Sequence, residues 1–186
     1  MKPYIIGVDP SGSYNEGKGT TGLVILNSEG KLELHTTVNA QDYPSQLAYW
    51  SAVLDTLEVF ALTKKAVLSV EDYVLYATSA KAQINSEMET SKLIGAITML
   101  AYNLNIPMYI RNASQVVNRW NNEILIHKNL IHKQGNRYTD DTGAPINRHC
   151  LDALRHAVHC HYFEVGKEDN YELKSNCRKR SNAVTD

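Results

Sequence analysis

Hydrophobic and polar positions change their period several times along the chain. Tyr4 to Asp9 is a short apolar run, and Pro10-Ser11-Gly12 after it reads as a strand end opening into a loop. That loop, Ser11 to Gly19, is rich in Gly, Ser and Asn. Thr20 to Asn27 predicts a second strand, Ser28-Glu29-Gly30-Lys31 a turn, and Leu32 to Val38 a third, alternating strand. Connections this tight predict an antiparallel meander.

The period then becomes helical. Leu47, Trp50, Leu54, Leu57 and Ala61 recur along one predicted helix face between Ser45 and Thr63. Ala66 to Val70, bounded by Lys64-Lys65 and Glu71-Asp72, predicts a buried strand. Ser86 and Glu89 have capping-box spacing, and Leu93, Ile97, Leu100 and Leu104 mark the helix after them, reaching about Asn105. Pro107 to Ile110 predicts a fifth strand and Ser114 to Trp120 a further helix. Glu123 to Asn147, with Gly135, Gly143 and Pro145, predicts a long loop or a small insertion. His149 to Phe163 predicts a last helix with Leu151, Leu154, Val158 and Tyr162 on its apolar side. The expected fold is therefore α/β: a mixed five-stranded sheet, meander plus parallel strands, flanked by helices. The first and fourth strands can then lie side by side, bringing Asp9 and Glu71 together at their ends.

Bulk composition agrees with one globular domain. The chain has 186 residues, 43% hydrophobic and 21% charged. No apolar run approaches the roughly 18 residues of a membrane span, and no signal-peptide pattern opens the chain, so we expect a cytoplasmic protein. Its three cysteines, Cys150, Cys160 and Cys177, lack framework spacing and are expected as thiols. A net charge of −1 argues against a bulk electrostatic DNA binder of the histone type but not against a nuclease. Basic residues are nonetheless concentrated: Arg111, Arg119, Lys128, Lys133 and Arg137 face the single acid Glu123 between Met108 and Arg137. A second basic run, Arg178-Lys179-Arg180, lies in a tail that reads as a solvated surface.

Three carboxylates stand out by position. Asp9 ends the first strand, Glu71 the fourth, and Asp152 sits near the start of the last helix, each following apolar residues. Charges at the edge of a core are costly unless paired or metal-bound. Clustered carboxylates suit Mg²⁺, and two such ions about 4 Å apart can activate a water and steady a leaving oxygen in phosphodiester hydrolysis. The alternative reading is that these are capping and loop residues, with Asp152 complementing a helix dipole.

Ile5-Ile6-Gly7-Val8-Asp9-Pro10-Ser11-Gly12 followed by Thr21-Gly22-Leu23-Val24 resembles the opening of the RuvC family of Holliday-junction resolvases. Val70-Glu71-Asp72-Tyr73 is similar to that family's second acidic site. His149-Cys150-Leu151-Asp152-Ala153-Leu154 is similar to its closing motif, and Ile106 to Val117 to the strand and helix between. The resemblance covers about residues 3 to 163. It implies an RNase H-like fold and a homodimer that nicks four-way DNA junctions in symmetric pairs with Mg²⁺. On matched positions it implies Asp9, Glu71, His149 and Asp152 as catalytic metal ligands, two ions per site. Histidine stands where many members carry aspartate, so Mn²⁺ is expected to be tolerated. The chain departs from the pattern at Ser11, in the longer loop after Asp9, and in the insertion near 123–147; its small size is reminiscent of phage-encoded versions. Residues 1–165 are expected to form the nuclease domain and 166–186 a flexible tail.

Further candidates carry less. Lys18, Lys81, Arg111, Arg119 and Tyr14 are candidate DNA contacts, and Tyr73, Tyr76 and Trp120 could stack on bases, although each aromatic equally suits a core. His156, four residues after Asp152, is a candidate partner behind the ligands or else a surface histidine. His149, His156, His159 and His161 scatter over several helical faces, which argues against zinc. Gly12, Gly17, Gly19 and Gly22 lack the lysine-serine ending of a phosphate loop. Two other functions stay open: a nuclease of the same fold acting on RNA–DNA hybrids or flaps, and a binding protein without catalysis.

Overall fold

A computed structural model describes residues 2–14, 18–73 and 88–165. Strands β1 (Tyr4–Asp9), β2 (Thr20–Leu26), β3 (Leu32–Asn39), β4 (Ala66–Asp72) and β5 (Met108–Asn112) form one sheet in the order β3-β2-β1-β4-β5. The first three make the expected antiparallel meander, and β4 and β5 run parallel to β1. Helices α1 (Gln46–Thr63) and α2 (Glu89–Asn103) cover one face. The other carries α5 (Arg148–Phe163).

Between β5 and α5 lie α3 (Ala113–Val116), α4 (Asn122–His127) and a three-stranded antiparallel sheet of β6 (His132–Gln134), β7 (Arg137–Thr139) and β8 (Pro145–Ile146). Of the two readings of 123–147, a long loop or a small insertion, the structure takes the second: the segment is a small folded insertion. The helix expected from Ser114 to Trp120 shortens to α3 and turns. Val116, Trp120, Leu125, Leu130, Ile131 and Ile146 pack onto α5 as a third layer. Helix α5 is buried almost all round: His159 lies against Trp120 of this layer, His156 faces Glu71 of β4, and His161 faces the turn at Gly30. Tyr162, expected on the apolar side, is 47% exposed.

Side-chain parity along the strands decides which residues meet α5. Ile6 and Val8 of β1, and Leu68 and Val70 of β4, point to the α1/α2 side. Ile5 and Val67 point to α5, and by the period of two so do Gly7, Asp9, Ser69 and Glu71. Parallel pairing of Val8 with Val70 then sets Asp9 and Glu71 side by side.

The face of α1 differs from expectation. Tyr49, Val53, Leu57 and Ala61 are buried, whereas Leu47 is 74% exposed. The helix is apolar on more than one side, so spacing alone admits two faces. Ser45 caps it, its Oγ accepting from Ala48 N at 3.2 Å. The residue at the N-cap of α2 is Met88, in the left-handed region with φ 50°, and makes no side-chain cap bond; Ser86 of the expected capping box lies outside the described residues.

Candidate active site

Helix α5 crosses the sheet strand by strand. Cys150 Sγ donates to Thr36 O of β3 at 3.1 Å, and Ser69 Oγ of β4 donates to His156 O at 2.8 Å. Between them two glycines let the helix sit directly on the strands. A Cβ at Gly22 of β2 would lie 2.3 Å from the His149 carbonyl carbon, and one at Gly7 of β1 would lie 2.2 Å from Ala153 O. Asn147 caps α5, its Oδ1 accepting from Cys150 N at 2.8 Å. The first two turns of the helix are thereby seated beside the end of β1.

There the predicted site residues meet. His149 Nδ1 lies 2.7 Å from Asp9 Oδ2. Burial pushes the Asp9 carboxyl above its ordinary pKa; the His149 hydrogen bond opposes this, and the charges of Glu71 and Asp152 push it further up. The hydrogen bond to Asp9 holds the His149 imidazole above its ordinary value, outweighing burial. Glu71 and Asp152 are thus each near enough to repel the charge of Asp9.

Each acid also has its own cationic or imidazole neighbour. His156 is 1% exposed, and its Nε2 lies 3.3 Å from Glu71 Oε2. The pair is too poorly aligned to hydrogen bond, so the contact is electrostatic. The surface-histidine reading is corrected by this burial. Asp152 Oδ1 accepts from Arg155, whose guanidinium also reaches Asn122 Oδ1 and whose Nε donates to Trp120 O at 3.1 Å. Arg148 Nε stands 3.9 Å from Asp152 Oδ2. Arg155 escaped the sequence reading, although its i,i+3 spacing from Asp152 was a visible signal.

Tyr49 was also missed. Its buried hydroxyl donates to Ser11 O at 2.7 Å and lies 2.8 Å from Thr21 Oγ1, fixing the loop that leaves Asp9. Burial pushes its pKa up to about 12, so it stays a donor. Gly12 O accepts from Trp50 Nε1 at 3.0 Å, which ties the same loop to α1.

Three carboxylates and one imidazole are an oxygen-rich donor set that fits a hard divalent cation. Among the described residues no three His, Cys, Asp or Glu side chains form a ready-made metal cage; the donors are turned toward His149, His156 and Arg155. The histidines of α5 likewise form no metal cluster.

Other candidates are placed differently from their sequence reading. Trp120 is 6% exposed, with Nε1 3.4 Å from His159 Nδ1, so it is core and offers no base-stacking face. Tyr73 packs partly against the α1/α2 core, and the Tyr14 hydroxyl donates to Tyr43 O at 2.7 Å. Arg111, beside Glu71 in register, is paired with Glu164. Arg119 is exposed and lies 4.2 Å over the Phe163 ring; Lys18 is exposed. Tyr76, Lys81, Cys177 and the basic tail lie outside the described residues. A cleft lined by Lys2, Ala61, Lys64, Val67, Leu104 and Pro107 sits at the opposite end of the parallel strands and contains none of the four site residues.

The architecture is the RNase H-like fold: a meander extended by parallel strands, with Asp9 and Glu71 at the ends of β1 and β4. In fold the chain resembles two solved structures of Thermus thermophilus RuvC, one of them in complex with a Holliday-junction substrate. Each matches with a TM-score of 0.59 and 20% identity, over 88% of this chain and 96% of the other. No protein-family model and no curated protein sequence matches the chain.

Proposed function

We propose that the chain is a divalent-metal-dependent endonuclease that cuts branched DNA, above all four-way junctions, by paired nicks from a homodimer. The observation that carries this reading is the meeting of Asp9, Glu71, His149 and Asp152 at one end of β1 and β4, in a fold shared with a RuvC solved on a Holliday junction.

Asp9 is the group the others act on, bonded to His149 and repelled by the charges of Glu71 and Asp152. His149 Nδ1 lies against Asp9 Oδ2; with a proton held there, Nε2 of the neutral imidazole would be the nitrogen left to ligate a cation. His156 braces Glu71 from the buried side. Arg155 sets the rotamer of Asp152 and ties it to the insertion through Asn122. Bound there, two Mg²⁺ ions, or Mn²⁺ in their place, would supply water activation and charge neutralisation at the leaving oxygen. Exposed Leu47, Val59 and Leu62 on α1 and Met99 and Tyr102 on α2 favour a second copy against these helices, as paired nicks require. Of the phosphate contacts read from the sequence, Lys18 and Arg119 are exposed, whereas the charge of Arg111 is offset by Glu164.

Incubating the purified chain with Mg²⁺ and labelled four-way junction, duplex, flap and RNA–DNA hybrid tests the reading. Symmetric nicks confined to the junction are expected. Cutting of the hybrid or flap alone would move the assignment to another nuclease of this fold, and binding without cutting would make it a non-catalytic binder.

A further inference from the structure

The insertion that closes over α5 also projects a hairpin. Its base is rigid: Leu130, Ile131, Thr139 and Ile146 are buried, and His35 Nε2 of β3 lies 3.3 Å from Asp140 Oδ2. Asp140 Oδ1 accepts from Thr142 N and Ala144 N, each at 2.9 Å, which closes the β7–β8 turn. The Asp141 carboxylate is 2.6 Å from His132 Nε2. Both acids near the hairpin are therefore engaged at its base. The tip differs. Lys133, Gln134, Gly135, Asn136 and Arg137 are all exposed, and among the described residues Lys133 and Arg137 have no ion-pair partner. Gly135, with φ +59°, makes the tight turn, and pairing of Gln134 with Arg137 and of Lys133 with Tyr138 puts the two cations on opposite faces of the ribbon. The tip thus offers two cations, two amides and no acid.

Its position relates it to the candidate active site. Strand β8 pairs with β7 and runs straight into Asn147, the cap of α5, two residues before His149. The tip extends about 10 Å beyond Thr139 at strand rise, roughly three steps along a nucleic-acid strand. We propose that the β6–β7 hairpin is a phosphate-gripping arm, in which Lys133 and Arg137 hold the backbone of a duplex DNA arm beside the cut. This rests on the nuclease reading and adds to it the element that grips the duplex next to the site. The rigid base suits such a role, because a pre-ordered arm loses little entropy when it meets the backbone.

The test is junction binding by fluorescence anisotropy in Ca²⁺ across a salt series, with the full chain, Lys133→Ala/Arg137→Ala and Lys133→Glu/Arg137→Glu. Circular dichroism and thermal melts establish that each variant is folded. The alanine pair should weaken binding at least about fivefold and flatten the log K against log salt slope by about 2, since each phosphate contact contributes about 0.9. The glutamate pair should weaken it further. Unchanged affinity and slope in the folded alanine pair would overturn the proposal. If the wild-type chain binds junctions but cuts no substrate with Mg²⁺, the nuclease reading fails on its own and the salt slope still decides the role of the hairpin.

Discussion

An alanine at Gly22 would put its Cβ 2.3 Å from the carbonyl carbon of His149 and 2.4 Å from the carbonyl oxygen, where ordinary contact begins at 3.4 Å. Backbone lies on both sides, so no side chain can swing away. Helix α5 must retreat by about 1 Å, the distance that near-attack geometry tolerates least. The displacement falls on the turn that holds His149 2.7 Å from Asp9. Overpacking of this kind costs about 1–3 kcal/mol. Cleavage should fall on the order of a hundredfold, by more than the stability loss alone explains. Gly95→Ala is the matched control: it lies within α2 with nothing inside 4 Å of its added Cβ, and should stabilise by about 0.5–1 kcal/mol. Urea melts and single-turnover cleavage with Mg²⁺ at a temperature where all three proteins are folded measure both effects. Wild-type cleavage by Gly22→Ala would refute the reasoning that the approach of α5 to β2 sets the site.

Two other perturbations act on the same layer. Arg155→Ala removes a largely buried guanidinium from Asp152, Asn122 and Trp120 O and should destabilise by about 2–4 kcal/mol, read by urea melts; a loss under about 0.5 kcal/mol would show the network to be idle. Burial pushes the His159 and His161 imidazoles below their ordinary pKa, with the Arg111 and Arg119 charges adding to the effect at His159. Well above about pH 6.5 both are neutral in the folded and unfolded chain, and their contribution to stability is at its full value. As pH falls below that, the unfolded chain takes up protons at these two positions that the folded chain resists, so their contribution to stability declines. His161→Gln should flatten this decline in melts across the range, and an unchanged pH slope would contradict it.

Much of the fold was legible because strand ends carry strong punctuation. The run Tyr4–Asp9 before Pro10, and Ala66–Val70 before Glu71-Asp72, gave both central strands almost to the residue, and with them the neighbours Asp9 and Glu71. Asp152 was read from its place near the start of the last helix, and His149 only from the family-like motif. The mini-sheet was not legible, since strands of two or three residues are too short to show a period. The buried face of α1 was misassigned because Leu47 and Tyr49 fit two rival stripes, and the hydrogen bonds of the Tyr49 hydroxyl decide between them only in three dimensions. The buried histidines of α5 were equally out of reach, because their cover comes from three separate places, Trp120 over His159, β4 beside His156 and the Gly30 turn over His161.

The central claim is that the four residues at the end of β1 and β4 perform the cut, with Asp9 at their middle. Asp9→Asn keeps the shape of the side chain and removes its charge. Junction affinity in Ca²⁺ and nicking in Mg²⁺, measured on this variant and the wild type side by side, test the claim most directly. The account predicts nicking lost by at least about a thousandfold, with affinity within about threefold of wild type because the duplex is gripped elsewhere. Wild-type nicking by Asp9→Asn would contradict it.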